Sequence, residues 1–259
     1  ISETYKEGLW HLIARFGDVL TLLIVGYIIA PRIGEFLGKI SVAEIMGDLY
    51  GKKIKFITAI ASILLSVGYV AVQIKVLIEL FYHFFGVSSL YAALLATTVI
   101  TVYSTMGGIK AITFTDVIQF LTFGVFVPVF AIFVWNLFDN PSGTIITTTK
   151  SNPLFSIDTV FNFYDPKLYS FFILFLYYTI PGLDPATVQR ILMAKNVTQV
   201  RKSFSLAAFF CFIIGGTACL IGITILAHNP NLNPDTLVTY VIDNYSYTGL
   251  KGLTLIGIM

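Results

Sequence analysis

The sequence predicts an all-helical integral membrane protein, and three observations carry that prediction. Of its 259 residues 56% are hydrophobic and 12% are charged, about half the charged share of a soluble domain. Mean hydropathy is +0.85. The apolar residues fall in continuous runs long enough to cross a hydrocarbon core of roughly 30 Å as helices, without the period-two alternation of a closed barrel. A water-soluble globule is excluded by this composition.

Six runs reach spanning length, at about 9 to 30, 57 to 82, 88 to 107, 112 to 137, 168 to 190 and 203 to 227, and a seventh begins near Gly249. The chain starts on Ile1 and stops at Met259 inside an apolar run. Residues 1–259 therefore read as a single partial transmembrane domain, truncated at both ends. Lys and Arg set its orientation. The connections 31 to 56, near 110, and 190 to 202 carry ten of them, against Lys6, Lys150, Lys167 and Lys251 on the other side. That bias puts the first group in the cytoplasm, and it makes 138–167 and 228–248 extracytoplasmic loops.

The first span carries Arg15 and Asp18, three residues apart and able to meet on one helical face. Gln73, Lys75 and Glu79 form a similar group on the second, where Lys75 and Glu79 are four apart. Charged groups at membrane depth cost a few kcal/mol each, so the four charged residues, with Gln73 nearby, either neutralise one another inside a bundle or line a solute or ion path. Phe81, Tyr82, Phe84 and Phe85 close the second span with rings suited to the interface. Gly107 and Gly108 read as the turn between the third and fourth spans. The loop that follows, with Asn140-Pro141-Ser142-Gly143 and threonines from Thr144 to Thr149, is polar and turn-forming.

The fifth segment is interrupted. Leu168 to Thr179 is an apolar helix, but Ile180-Pro181-Gly182-Leu183-Asp184-Pro185 removes backbone hydrogen bonds before a helical pattern resumes at Ala186. Exposed backbone groups at such a break are tolerated in a membrane only where they face protein or a water-filled cavity, and transporters build binding sites there. Tyr177, Tyr178 and Thr179 would offer rings and hydroxyls to a solute, with the backbone at Pro181 and Gly182. On the sixth span Gly215, Gly216, Thr217 and Gly222 are small enough to admit a close helix neighbour. Beyond it, Asn233 or Asp235 could cap a short helix reaching Ile242. Cys211 and Cys219, eight residues or about 12 Å apart along a helix, cannot pair with each other. His11, His83 and His228 sit near span ends and read as interfacial.

Residues 103 to 119, Tyr-Ser-Thr-Met-Gly-Gly-Ile-Lys-Ala-Ile-Thr-Phe-Thr-Asp-Val-Ile-Gln, resemble the signature of the sodium/solute symporter family, which includes proline, pantothenate and sugar transporters. So do residues 184 to 195, with their Val188-Gln189-Arg190 core and Ala194-Lys195 end, although Asp184-Pro185 stands where the commonest form has Asp-Gln. The stretch Ser41 to Asp48 falls where the family has a short amphipathic segment. The resemblance implies part of a leucine-transporter-type inverted-repeat helix bundle, here six full spans plus the start of a seventh. It implies sodium-coupled secondary active symport of a small organic solute, of the amino acid, carboxylate or sugar class, by alternating access. Asp116 matches the acidic residue associated with sodium coupling or the inner ion exit, and Asp184, at the end of the break, joins it on the ion path. Asp116 could instead be a helix N-terminal charge with Thr113 or Thr115 as cap.

The principal sodium site is expected outside these residues, sodium being the coupling ion and no other cofactor being implied. An alternative is a transporter-like sensor module, since some members are fused to a histidine kinase. No Ser/His/Asp set, paired carboxylates or His/Cys cluster suggests an enzyme. The basic residues are spread along the connections without forming a nucleic-acid-binding stripe.

Overall fold

The computed structural model describes residues 1–155, 164, 166–182, 184–234, 237–245 and 249, and among these no residue is in a strand. Among the described residues five helices are long and apolar enough to cross a membrane: Leu9–Phe36, Lys52–Tyr82, Ser89–Gly108, Ile112–Leu137 and Val197–His228. The sequence predicts one more, its fifth segment, at 168 to 190. That segment is two short helices, Pro166–Thr179 and Pro185–Leu192, because Pro181 and Pro185 cannot donate to a helical ladder. The seventh expected span runs into 250–259, outside the described residues.

The described residues fall into two compact units, one from within 1–32, 122–181 and 198–249 and the other from within 33–121 and 182–197. In the first, a short helix α1 (Ser2–Glu7) precedes α2 (Leu9–Ile24). The chain then continues as a π-helical turn, Val25–Ile29, into α3 (Ala30–Ile33). Pro31 explains the turn: its ring cannot take the regular place above Tyr27, and an i to i−5 bond from Ala30 N–H to Val25 C=O absorbs the misfit.

Two apolar clusters hold this unit together. One joins Tyr5 of α1 to Phe126, Phe130 and Val134 and to Ile221 and Ile225 further along the chain, with the Phe126 and Phe130 rings stacked at 5.4 Å. The Tyr5 hydroxyl donates to Asn229 C=O at 2.6 Å and accepts from Leu232 N–H at 2.8 Å; burial pushes its pKa up. The other cluster packs Ala14 of α2 on Phe171. The Thr-rich loop predicted after Leu137 is in fact helical, α7 (Pro141–Ser151), following α5 (Lys52–Phe85) and α6 (Ser89–Leu137). Asn140 caps it by accepting from Gly143 N–H at 3.1 Å. Thr144, Thr147 and Thr149 turn their hydroxyls back to carbonyls four residues earlier, so residues that compete with a helix are satisfied inside one.

In the second unit, α4 (Val42–Tyr50) lies where the sequence predicts an amphipathic stretch. Ser41 Oγ accepts from Glu44 N–H at 3.3 Å and Glu44 reaches back to Ile40 N–H at 2.8 Å, a reciprocal arrangement close to a capping box. Lys39 Nζ sits 2.7 Å from Asp48, whose carboxylate raises the Lys39 pKa. The most apolar stretch of α5 has none of its residues buried against the described chain. Helix α6 bends where the Gly-Gly turn is predicted: Gly108 has φ 56 and ψ −160, a conformation closed to side chains bearing a Cβ.

The short helix predicted after Asn229 is present as α11 (Leu237–Tyr245), following α8 (Pro166–Thr179), α9 (Pro185–Leu192) and α10 (Val197–His228). Asp235 as its cap lies outside the described residues. Of the small residues on α10, Gly222 does admit a close neighbour: a Cβ there would meet Ile1 C=O at 2.7 Å and Thr4 Cβ at 3.2 Å. Gly215 and Gly216 do not among the described residues, of which none lies within 4 Å of the Cβ each would carry. Both cysteines are free thiols.

Candidate functional site: the interrupted helix and its polar neighbours

The predicted break is where the sequence puts it. Helix α8 ends with Ile180 N–H on Leu176 C=O at 2.8 Å, and Thr179 returns its hydroxyl to Phe175 C=O at 2.7 Å. Tyr177 is 74% exposed, its ring edge-on to Tyr178 at 5.6 Å. Tyr178 points the other way, into α2. The Arg15 guanidinium lies over its ring at 4.9 Å, and the His11 ring meets it edge-on at 6.1 Å. Arg15 also pairs with Asp18, Nε to carboxylate, at 3.1 Å, as the i, i+3 spacing predicts.

Gly17 makes this contact possible. A Cβ at Gly17 would stand 2.7 Å from Tyr178 Cβ, 2.8 Å from Thr179 Oγ1 and 2.9 Å from Phe175 C=O, so only a residue without one allows α2 to seat α8 at this height. His11 is not at an exposed boundary, as its place near a span end suggests, but 3% exposed with Nδ1 lacking a partner. His228 bonds Thr224 C=O through Nδ1 at 2.8 Å and stacks on Phe138. The His83 side chain lies outside the described residues.

In the other unit, Asp184 is the N-cap of α9. One carboxylate oxygen accepts from Ala186 N–H at 3.0 Å and Thr187 N–H at 2.9 Å, and the other from the Thr187 hydroxyl at 2.6 Å. Asp116 is paired with Arg190 at 3.1 Å, both side chains largely exposed. That pair joins the two motif segments, 74 residues apart in the chain. Each residue lies in its own motif, and nothing in the sequence reports that the two meet. Gln73, Lys75 and Glu79 are exposed, and among the described residues no ion pair joins Lys75 to Glu79. No group of three His, Cys, Asp or Glu with metal-binding geometry occurs among the described residues.

The profile of the sodium:solute symporter family matches residues 2–247, taking in the break, the Gly108 bend and both motif segments. The chain belongs to the sodium:solute symporter family. A relative from Drosophila melanogaster named "Putative sodium-dependent multivitamin transporter" is 23% identical over 273 aligned residues, which cover 99% of this chain and 44% of that protein. The chain thus spans less than half the length of this relative. No solved structure matches it significantly. With this membership and, among the described residues, five helices long and apolar enough to cross a membrane, the protein is an integral, multi-pass membrane protein of a transporter family.

Proposed function

We propose that residues 1–259 form part of a sodium-coupled symporter that moves a small organic solute, of the amino acid, carboxylate or sugar class, by alternating access. In this reading the segment crosses the membrane six times and begins a seventh crossing, within an inverted-repeat bundle of the leucine-transporter type. Segments 138–167 and 228–248 face outward. The observation that carries the reading is the interruption between Thr179 and Pro185 in a chain of this family, because a broken helix supplies unpaired backbone groups to a polar solute in the membrane.

The exposed Tyr177 ring, the Tyr178 and Thr179 hydroxyls and the backbone at Pro181 and Gly182 are the solute contacts. Arg15 and Asp18 form a charge-neutral pair behind Tyr178, and Gln73, Lys75 and Glu79 are further polar groups at depth. Asp116 and Asp184 mark the inner route of the ion. No covalent chemistry is involved. Each charge entering at 100 mV contributes about 2.3 kcal/mol, and the sodium gradient adds to it. Coupling requires solute affinity to depend on sodium occupancy.

The test is uptake into proteoliposomes by the full-length protein under an inward sodium gradient, across labelled amino acids, carboxylates and sugars. Sodium-dependent accumulation of one class supports the reading. Absence of sodium-dependent uptake for all three would overturn it.

A further inference from the structure

Where α10 begins, three cations lack an acidic partner among the described residues. Arg201 and Lys202 are exposed, and α10 has no acidic residue in its first turn. Arg201 carries its guanidinium 6.0 Å over the ring of Tyr27, in the π-helical turn of the first span. Arg32 folds back onto Ile28 C=O at 2.5 Å, which brings its charge to the same turn. The backbones are close here: a Cβ on Gly26 would meet Phe204 Cβ at 3.0 Å and the Arg201 Cα at 3.8 Å. The Tyr27 hydroxyl accepts from Ser205 Oγ at 3.1 Å.

The residues below them complete a pattern. Arg201, Ser205, Phe209 and Phe212 recur at four, four and three residues, on one face of α10. Read along that face they pass from cation to hydroxyl to rings, Phe209 being 57% and Phe212 48% exposed. Leu206, 58% exposed, continues the apolar surface below Lys202. A 32-residue helix is about 48 Å long, well beyond a hydrocarbon core of roughly 30 Å, so its first turns lie at headgroup depth. An anionic head, a polar ester region and an acyl chain would meet these groups in that order.

We propose that the Tyr27–Arg201–Lys202 corner is a binding seat for an acidic membrane phospholipid, its phosphate held by Arg201, Lys202 and Arg32 and its acyl chain lying on Leu206 and Phe209. The Lys and Arg distribution puts this corner on the cytoplasmic side, where acidic lipids concentrate. The proposal goes beyond solute transport and stands independently of which solute is carried.

The experiment is native mass spectrometry of the full-length protein released from nanodiscs of phosphatidylcholine containing a minor fraction of phosphatidylglycerol. Retained phosphatidylglycerol should exceed its share of the bilayer. Arg201→Gln and Lys202→Gln should each lower that preference about five-fold, the factor for about 1 kcal/mol per cation, while Arg201→Lys retains it and inorganic phosphate does not compete. Equal retention of the two lipids, an unchanged preference in the R201Q/K202Q double variant, or displacement by inorganic phosphate would each overturn the proposal.

Discussion

Two aspartates of the candidate site have roles that can be separated by substitution. Asp116 and Arg190 form an exposed pair, and such pairs are worth about 0 to 1 kcal/mol. Asp116→Asn and Arg190→Gln should therefore leave the melting temperature of the purified full-length protein nearly unchanged. If Asp116 lies on the ion route, D116N should raise the sodium concentration needed for half-maximal uptake several-fold, and R190Q should change it less. Equal effects of the two variants on sodium dependence would reduce Asp116 to a partner of Arg190. Gly17 makes the opposite kind of prediction. Its missing Cβ leaves no room for a larger group against Tyr178 and Thr179, and overpacking costs about 1 to 3 kcal/mol. Gly17→Leu should lower the melting temperature in detergent, whereas Gly216→Leu, in open space, should not.

At the scale of elements, the interrupted helix depends on how its second half starts. Asp184 satisfies the Ala186 and Thr187 N–H groups and the Thr187 hydroxyl, and losing an N-cap of this kind costs about 1 kcal/mol. Asp184→Ala should destabilise α9, visible as faster hydrogen exchange at Ala186 to Val188. Asp184→Ser should recover most of the protection, which a residue required only for its charge would not allow. The break itself, the Gly108 bend and α11 were legible in the sequence because proline, glycine and apolar runs act locally. Helix α7 was not, because β-branched threonines and Asn-Pro-Ser-Gly read as turn chemistry; the back-bonded hydroxyls that rescue it become visible only with the helix built. The Asp116–Arg190 pair was illegible for another reason: no period in the sequence reports a contact between residues 74 apart. The unpartnered His11 Nδ1 falls in the same class, since nearness to a span end does not reveal which face is covered.

For the whole molecule, the charge distribution makes a claim that neither the helices nor the family membership supplies. Ten Lys and Arg lie in the connections 31 to 56, near 110, and 190 to 202, and four in the others. Because that asymmetry acts during insertion and within about 15 to 20 residues of the span ends, it predicts which side each connection occupies before any solute is known. The two thiols of residues 1–259 are inside α10, so replacing Cys211 and Cys219 by Ala, together with any cysteine of the full-length protein outside these residues, gives a background for labelling. Cys219 accepts from the Thr4 hydroxyl at 3.3 Å in a buried contact, and the background must first be shown to match the unsubstituted protein in expression and melting temperature. On it, Lys202→Cys should react with a membrane-impermeant maleimide only after cells are opened, and Lys150→Cys should react in intact cells. The outcome also bears on the lipid seat: labelling of Lys202→Cys from outside would move Arg201 and Lys202 to the outer leaflet. The assigned topology needs the two connections on opposite sides of the membrane, so reaction of both from one side would refute it and, with it, the crossing assigned to residues 168 to 190.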